Sequence, residues 1–97
     1  MRRKKTEPKV TFMSVKVEIY SSANCAFCVA AKNLLKSRGF DYEETRIDTE
    51  PGKREEMVAR THRRTVPQIF VNGQHIGGFE ELAEADRSGK LAHLAGN

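Results

Sequence analysis

Residues 15–38 read VKVEIYSSANCAFCVAAKNLLKSR and contain the only two cysteines of the 97-residue chain, Cys25 and Cys28, spaced C-x-x-C. Residues 15–20 alternate apolar and polar side chains, a pattern typical of a strand with one buried face. Residues 29–38 carry apolar side chains at helical spacing. The two cysteines therefore lie where the first strand passes into the first helix.

This position favours redox chemistry. The first backbone N–H groups of a helix have no partner within the helix, and the helix dipole presents positive charge there. Such an environment lowers the pKa of a thiol and makes it a better nucleophile at neutral pH. Cys25 is expected at or near the N-cap as the accessible nucleophile, with Asn24 or Ser22 as candidate capping residues. Cys28, one turn further in, is expected to be less exposed and to act as the resolving thiol.

Two other interpretations of the cysteine pair exist. A zinc site needs four ligands, and His62, His75 and His93 are the candidates to complete it, although their spacing is not that of a zinc site. A purely structural disulfide is the second, but such bonds are rare in the cytosol. A C-x-x-C after the first strand of a βαβ unit is typical of a redox site.

Composition predicts one globular domain, with 38% hydrophobic and 31% charged residues. The net charge of +4 resides in residues 1–10, which hold five basic residues and one acid. We therefore predict a basic tail at 1–13, either a disordered arm or a docking arm, and a neutral domain at 14–97. A nucleic-acid-binding domain would carry its charge on a folded face, so none is expected.

Localisation follows from two absences in the sequence. No stretch approaches the roughly 20 apolar residues of a membrane span, so no membrane association is expected. The basic residues of the tail are not followed by the apolar segment of a secretory signal. A cytoplasmic location is the resulting expectation.

The rest of the chain predicts a mixed α/β fold. Further strands are expected at 40–47, 68–71 and 74–77, and further helices at about 51–61 and from 79 until Gly89, with a short last turn at 91–94. Asn72-Gly73 is a strong signal for a two-residue hairpin. Strands joined by crossover helices are expected to be parallel, and the hairpin pair antiparallel. The order β-α-β-α-β-β-α then gives a central four-stranded mixed sheet flanked by helices on both faces.

Pro67 allows two interpretations. Proline is tolerated at the first residue of a strand, so Pro67 is either an ordinary strand start or part of a cis Val66–Pro67 bond. The cis form would turn the backbone of Val66 outward, where it pairs with an extended thiol peptide.

Two more features suggest an anion site. Gly77 and Gly78 break a strand immediately before a helix begins, which makes either a tight turn or a site for an anion at the helix N-terminus. Arg63 and Arg64 are either surface charge or, in the loop before Pro67, a clamp for a carboxylate.

Together, the C-x-x-C, the TVP at 65–67, the Asn-Gly hairpin and the glycine pair resemble the glutaredoxin family over about residues 15–95. The resemblance is closest to the short bacterial dithiol glutaredoxins. Thioredoxins share the fold but usually carry C-G-P-C with a neighbouring tryptophan, and this chain has no tryptophan. The resemblance implies a thioredoxin-like fold and a glutathione-dependent thiol–disulfide oxidoreductase with Cys25 and Cys28 as catalytic residues.

The resemblance also implies a glutathione site made of Arg63, Thr65, Val66, Pro67, Gly78, Phe79 and Glu80. Val66 would offer its backbone to the cysteinyl part of glutathione. Gly78 and Phe79 would offer N–H groups to the γ-glutamyl carboxylate, and Glu80 would meet the α-ammonium. Arg63 would meet the glycyl carboxylate.

Four positions depart from the family pattern. Ala26 and Phe27 replace the proline and tyrosine of the usual C-P-Y-C, so the redox potential is not implied by the resemblance. Ser22 stands where many members have a lysine, and Glu80 replaces the usual aspartate.

The implied partners are glutathione, as cosubstrate, and proteins that carry glutathione mixed disulfides or disulfides, with a monomer as the expected state and no metal. Two alternatives stay open. One is a carrier or sensor of a glutathione-ligated [2Fe–2S] cluster, since Ala26 in place of proline loosens the active-site turn. The other is a thioredoxin-like reductase served by a flavoprotein.

Overall fold

The computed structural model describes residues 15–96, so the predicted basic tail lies outside the described residues. Its elements are β1 (Val17–Ser21), α1 (Ala26–Ser37), β2 (Glu43–Arg46), α2 (Lys53–Thr61), β3 (Gln68–Val71), β4 (Gln74–Gly77), α3 (Phe79–Ser88) and α4 (Lys90–Leu94). The four strands form one sheet in the order β2-β1-β3-β4. The predicted fold class is confirmed, and the short last helical turn forms as α4. Within residues 15–96, no helix is both long and apolar enough to cross a membrane.

The sheet separates two hydrophobic cores, as the alternating strands predict. On one face, Val17 and Ile19 of β1 pack with side chains of α1, α3 and α4. On the other face, Tyr20 and Phe70 pack with Met57 of α2, which is completely buried. The helices therefore cover both faces of the sheet. The cysteine pair follows the last residue of β1, at one end of the strands.

β2 is shorter than the sequence predicts. Phe40 and Ile47, the apolar ends of the predicted strand, are buried but lie outside β2. β2 is an edge strand that pairs only with β1, in a register from Glu18 opposite Glu43 to Ser21 opposite Arg46. The pairing with β1 therefore covers only Glu43–Arg46 and stops opposite Ser21, the last residue of β1, whatever the apolar pattern of the flanking residues.

The direction of β3 corrects the prediction of parallel strands. β2 runs parallel to β1, but β3 runs antiparallel to β1, with Tyr20 opposite Gln68. The connection at 47–67 contains a helix and two loops, and a segment of that length can return the chain in either direction. Because β3 is antiparallel to β1, the first residue of β3 lies at the end of the sheet where β1 finishes. β4 is antiparallel to β3, so the last residue of β4 lies at that same end.

Candidate active site

Cys25 is the N-cap residue of α1. Its backbone is extended, and its sulfur accepts a hydrogen bond from the N–H of Cys28 at 3.1 Å. The predicted N-cap position of Cys25 is confirmed, whereas the suggestion that Asn24 or Ser22 caps the helix is wrong. Asn24 instead takes a left-handed conformation in the turn, with φ 57°, and the Ser22 hydroxyl donates to the carbonyl of Ala23. The first turn of α1 carries no acidic residue, so nothing there offsets the positive end of the helix.

The two cysteines form a disulfide and differ in exposure as predicted. Cys28 is 1% exposed and belongs to the packed interior, whereas Cys25 is only partly buried. An attacking or leaving group from solution therefore reaches the sulfur of Cys25 first. Among residues 15–96, no group of three or more His, Cys, Asp or Glu side chains is placed to hold a metal ion.

The loop before β3 lies directly against Cys25. The Val66–Pro67 peptide bond is cis, which confirms the second interpretation of Pro67. The sulfur of Cys25 lies 3.9 Å from the carbonyl oxygen of Val66. Residues 63–65 belong to no helix or strand and are exposed.

The start of α3 lies at the same end of the sheet and is held by a capping interaction. A carboxylate oxygen of Glu81 accepts a hydrogen bond from the Gly78 N–H at 2.7 Å, the contact of an N3 acid with the N-cap residue. The same oxygen lies 3.5 Å from Nη1 of Arg63. The hydrogen bond from Gly78, assisted by Arg63, holds the pKa of Glu81 below its usual value. The Gly78 N–H, which the resemblance assigns to a ligand, is thus already bonded within the chain.

These features surround a cavity of about 180 Å³. It is lined by all seven residues of the implied glutathione site and by three that the sequence did not single out for it, Phe27, Gln68 and Glu81. Phe27 is 60% exposed, and its ring stacks on that of Phe79 with centroids 6.0 Å apart. The cavity thus combines an aromatic wall, a guanidinium, carboxylates and peptide groups, which together suit a small zwitterionic peptide.

A second groove borders the cysteine pair itself. It is lined by both cysteines together with Ser22, Lys32, Glu44 and Arg46, among others. Lys32 pairs with Glu44 at 2.9 Å. The Ser21 hydroxyl, first, and Lys32 keep the pKa of Glu44 below its usual value. Ser22, which stands where many glutaredoxins have a lysine, therefore faces this groove rather than the cavity.

Comparisons with known proteins agree on one family. The glutaredoxin family model matches residues 17–76. Glutaredoxin 3 of Escherichia coli K12 is 49% identical over 78 residues, which cover 80% of this chain and 94% of that protein. The crystal structure of the buckwheat glutaredoxin–glutathione complex superposes with a TM-score of 0.76 at 30% identity, covering 90% of this chain and 81% of that one. The solution structure of glutaredoxin from Brucella melitensis superposes with a TM-score of 0.73 at 38% identity, covering 82% and 87%.

Proposed function

Because the chain belongs to the glutaredoxin family, we propose that it is a glutathione-dependent thiol–disulfide oxidoreductase that works through Cys25 and Cys28. The observation that carries the proposal is the position of the Cys25 sulfur. It lies at a helix N-terminus and 3.9 Å from the carbonyl oxygen of Val66, a residue that lines the cavity. A solved relative, the buckwheat protein, is described as a complex with glutathione.

The proposed reaction on a protein–glutathione mixed disulfide needs only Cys25. Its thiolate attacks the glutathione sulfur, a new Cys25–glutathione disulfide forms, and the protein leaves as a thiolate that takes up a proton. The thiolate of a second glutathione then attacks the bound glutathione sulfur, which releases glutathione disulfide and restores the Cys25 thiolate. The free N–H groups and positive end of α1 stabilise that thiolate at the start and end of the cycle.

A protein disulfide requires both cysteines. Cys25 attacks one sulfur of the substrate and forms a mixed disulfide, while the other substrate sulfur leaves as a thiolate. Cys28 then attacks the Cys25 sulfur, the substrate leaves as a dithiol, and the Cys25–Cys28 disulfide remains. Two glutathione molecules return this disulfide to the dithiol and leave as glutathione disulfide. The potentials of glutaredoxins, about −200 to −230 mV, lie near that of the glutathione pool, so exchange at a potential in that range is reversible.

The proposed placement of glutathione follows the chemistry of the cavity walls. Its cysteinyl part lies along the backbone of Val66, which brings its sulfur to Cys25. Its glycyl carboxylate meets Arg63, and its γ-glutamyl carboxylate meets the first turn of α3 at Phe79, with Glu80 near the α-ammonium. The Gly78 N–H already donates to the Glu81 carboxylate. It can bond the γ-glutamyl carboxylate only if Glu81 shares or releases that hydrogen bond. Thr65 and Pro67, on either side of Val66 in the chain, line the same cavity.

The two cysteine variants test this function. Cys25→Ser is expected to abolish turnover of a glutathionylated peptide, because the remaining thiol, Cys28, is only 1% exposed and does not reach the glutathione sulfur. Cys28→Ser is expected to retain much of that turnover but to lose the reduction of a protein disulfide. An active Cys25→Ser and an inactive Cys28→Ser would show that the roles are reversed. Absence of glutathione-coupled turnover in the wild-type protein would reject the function.

We propose glutathionylated and disulfide-containing proteins as substrates, a monomer as the working state and the cytoplasm as the location. The cluster-carrier alternative makes a separate prediction. Anaerobic reconstitution with iron, sulfide and glutathione would give a coloured dimer, so a colourless monomer after that treatment would count against it. A flavoprotein-served reductase would instead turn over with a thioredoxin reductase and not with glutathione.

A further inference from the structure

Gln68, the first residue of β3, is a polar side chain enclosed in the protein. It is 1% exposed, although it also borders the cavity. Its amide nitrogen donates to the carbonyl oxygen of Thr65 at 3.0 Å and lies 3.3 Å from the Thr65 hydroxyl. Its amide oxygen lies 2.7 Å from Nε2 of His75. A buried amide without such partners would be costly, so these contacts hold the side chain in one place.

The chemistry of the partners fixes the direction of this chain of hydrogen bonds. A backbone carbonyl only accepts, so the NH₂ group of Gln68 faces Thr65 and its oxygen faces His75. Nε2 of His75 must then carry a hydrogen. Burial, first, and the nearby Arg63 hold the pKa of His75 below its usual value, which favours the neutral ring. Hydrogen bonds thus run from His75 on β4 through Gln68 on β3 to Thr65 in the active-site loop.

Thr65 needs such support because the sheet does not provide it. Residues 63–65 have no regular secondary structure, and the strand pairing of β3 begins only at Gln68. Thr65 itself is exposed and lines the cavity next to Val66. Its backbone carbonyl is tied to the sheet through the Gln68 amide.

We propose that Gln68 is a positioning residue, which holds Thr65 so that the Thr65–Val66 backbone is already in the conformation that binds glutathione. The inference rests on the proposed function and adds a residue that does not itself touch the ligand. A loop that is ordered before binding loses less conformational freedom on binding, so affinity rises without any new contact. His75 has the secondary role of keeping the Gln68 amide in the required orientation.

The test compares two matched glutamine substitutions in the full-length protein. Gln68→Met keeps the length of the side chain but removes the donor to the partly buried carbonyl of Thr65. Gln74→Met makes the same chemical change at an exposed position of β4. The measurement is kcat and KM for a glutathionylated peptide, together with the melting temperature of each variant.

Gln68→Met is expected to raise KM about tenfold with kcat changed less than about twofold, because the loop must then be ordered on binding while the reacting sulfur atoms are unaffected. Gln74→Met is expected to keep both constants. His75→Phe, which retains a ring against Phe70, is expected to raise KM by about threefold, since the amide stays on Thr65 but is less firmly oriented.

Three outcomes decide the inference. A folded Gln68→Met with wild-type KM and a lower melting temperature would show that the amide only stabilises the fold, and would overturn the proposal. If Gln68→Met does not fold, His75→Phe decides: a raised KM with unchanged kcat supports the proposal, and a wild-type KM overturns it. Wild-type protein without glutathione turnover would instead reject the proposed function, which separates the two failures.

Discussion

Replacing Glu81 by alanine is expected to destabilise the protein and, at the same time, to improve its binding of glutathione. The Glu81 carboxylate accepts the Gly78 N–H at 2.7 Å and lies 3.5 Å from Arg63. The Gly78 N–H and the Arg63 guanidinium are two of the groups that the proposed binding mode offers to the carboxylates of glutathione. Glu81 therefore stabilises the empty site and competes with the ligand for it.

The magnitudes follow from the geometry. Hydrogen bonds to charged groups contribute about 1.5–3 kcal/mol, but the Glu81 side chain is 47% exposed, so solvent screening reduces the loss to about 1 kcal/mol. A loss of that size lowers the melting temperature of a domain this small by about 4–8 °C. The exposed pair with Arg63 contributes about 0.2–1 kcal/mol, so its removal is expected to lower the KM for glutathione roughly 1.5- to 5-fold.

The assay combines thermal unfolding with initial rates at varied glutathione concentration. Glu84→Ala is the matched control, because Glu84 lies one turn further along α3, is exposed, and pairs with Arg87 in an i,i+3 contact. It is expected to leave KM unchanged and to shift stability by less than about 0.5 kcal/mol. A higher KM in Glu81→Ala would refute the reasoning, since it would show that Glu81 supports the ligand rather than competes with it.

Two further predictions concern stability. Gly77→Ala is expected to cost more than about 1 kcal/mol in urea unfolding, because φ at Gly77 is +125° and the new Cβ would lie 2.8 Å from Oε1 of Glu81. Acid is expected to destabilise the protein through Glu44, whose pKa is lowered in the folded state by the Ser21 hydroxyl and then by Lys32. The stabilisation by ionised Glu44 is complete above about 4.3, the pKa of a glutamate in the unfolded chain. It is lost as the pH falls through the lower pKa that Glu44 has in the folded protein. In Glu44→Gln, the free energy of unfolding in urea should therefore fall less between pH 5 and pH 3 than it does in the wild-type protein. An equal fall in both proteins would contradict this assignment.

Much of the site could be predicted from local sequence because its parts are local structures. Cys25 caps a helix because a strand ends just before it. The burial of Cys28 follows from its place one turn further along that helix. The Asn72-Gly73 turn forms as predicted, with φ of 51° and 83° at the two residues. The seven residues named from family resemblance line one cavity.

Other site residues depended on contacts that the sequence did not reveal. The role of Glu81 had a local signal, since an acid three residues after Gly78 has the spacing of a capping box. Gln68 had a weaker one, as a polar residue at the start of a wholly buried strand. The stacking of Phe27 on Phe79 had none, because it joins two helix starts that are far apart in the sequence.

The sequence by itself determined the local elements: a cysteine at a helix start, a hairpin, a proline before a strand, and two glycines before a helix. Only the tertiary structure decided that these lie together. Had β3 run parallel to β1, as its helical connection suggested, Pro67 would lie at the opposite end of the sheet from Cys25. Its antiparallel pairing with β1 brings the start of β3 and the end of β4 to the edge where β1 ends. Hydrophobic alternation is the same in either strand direction, so only packing and pairing across the whole sheet could select it.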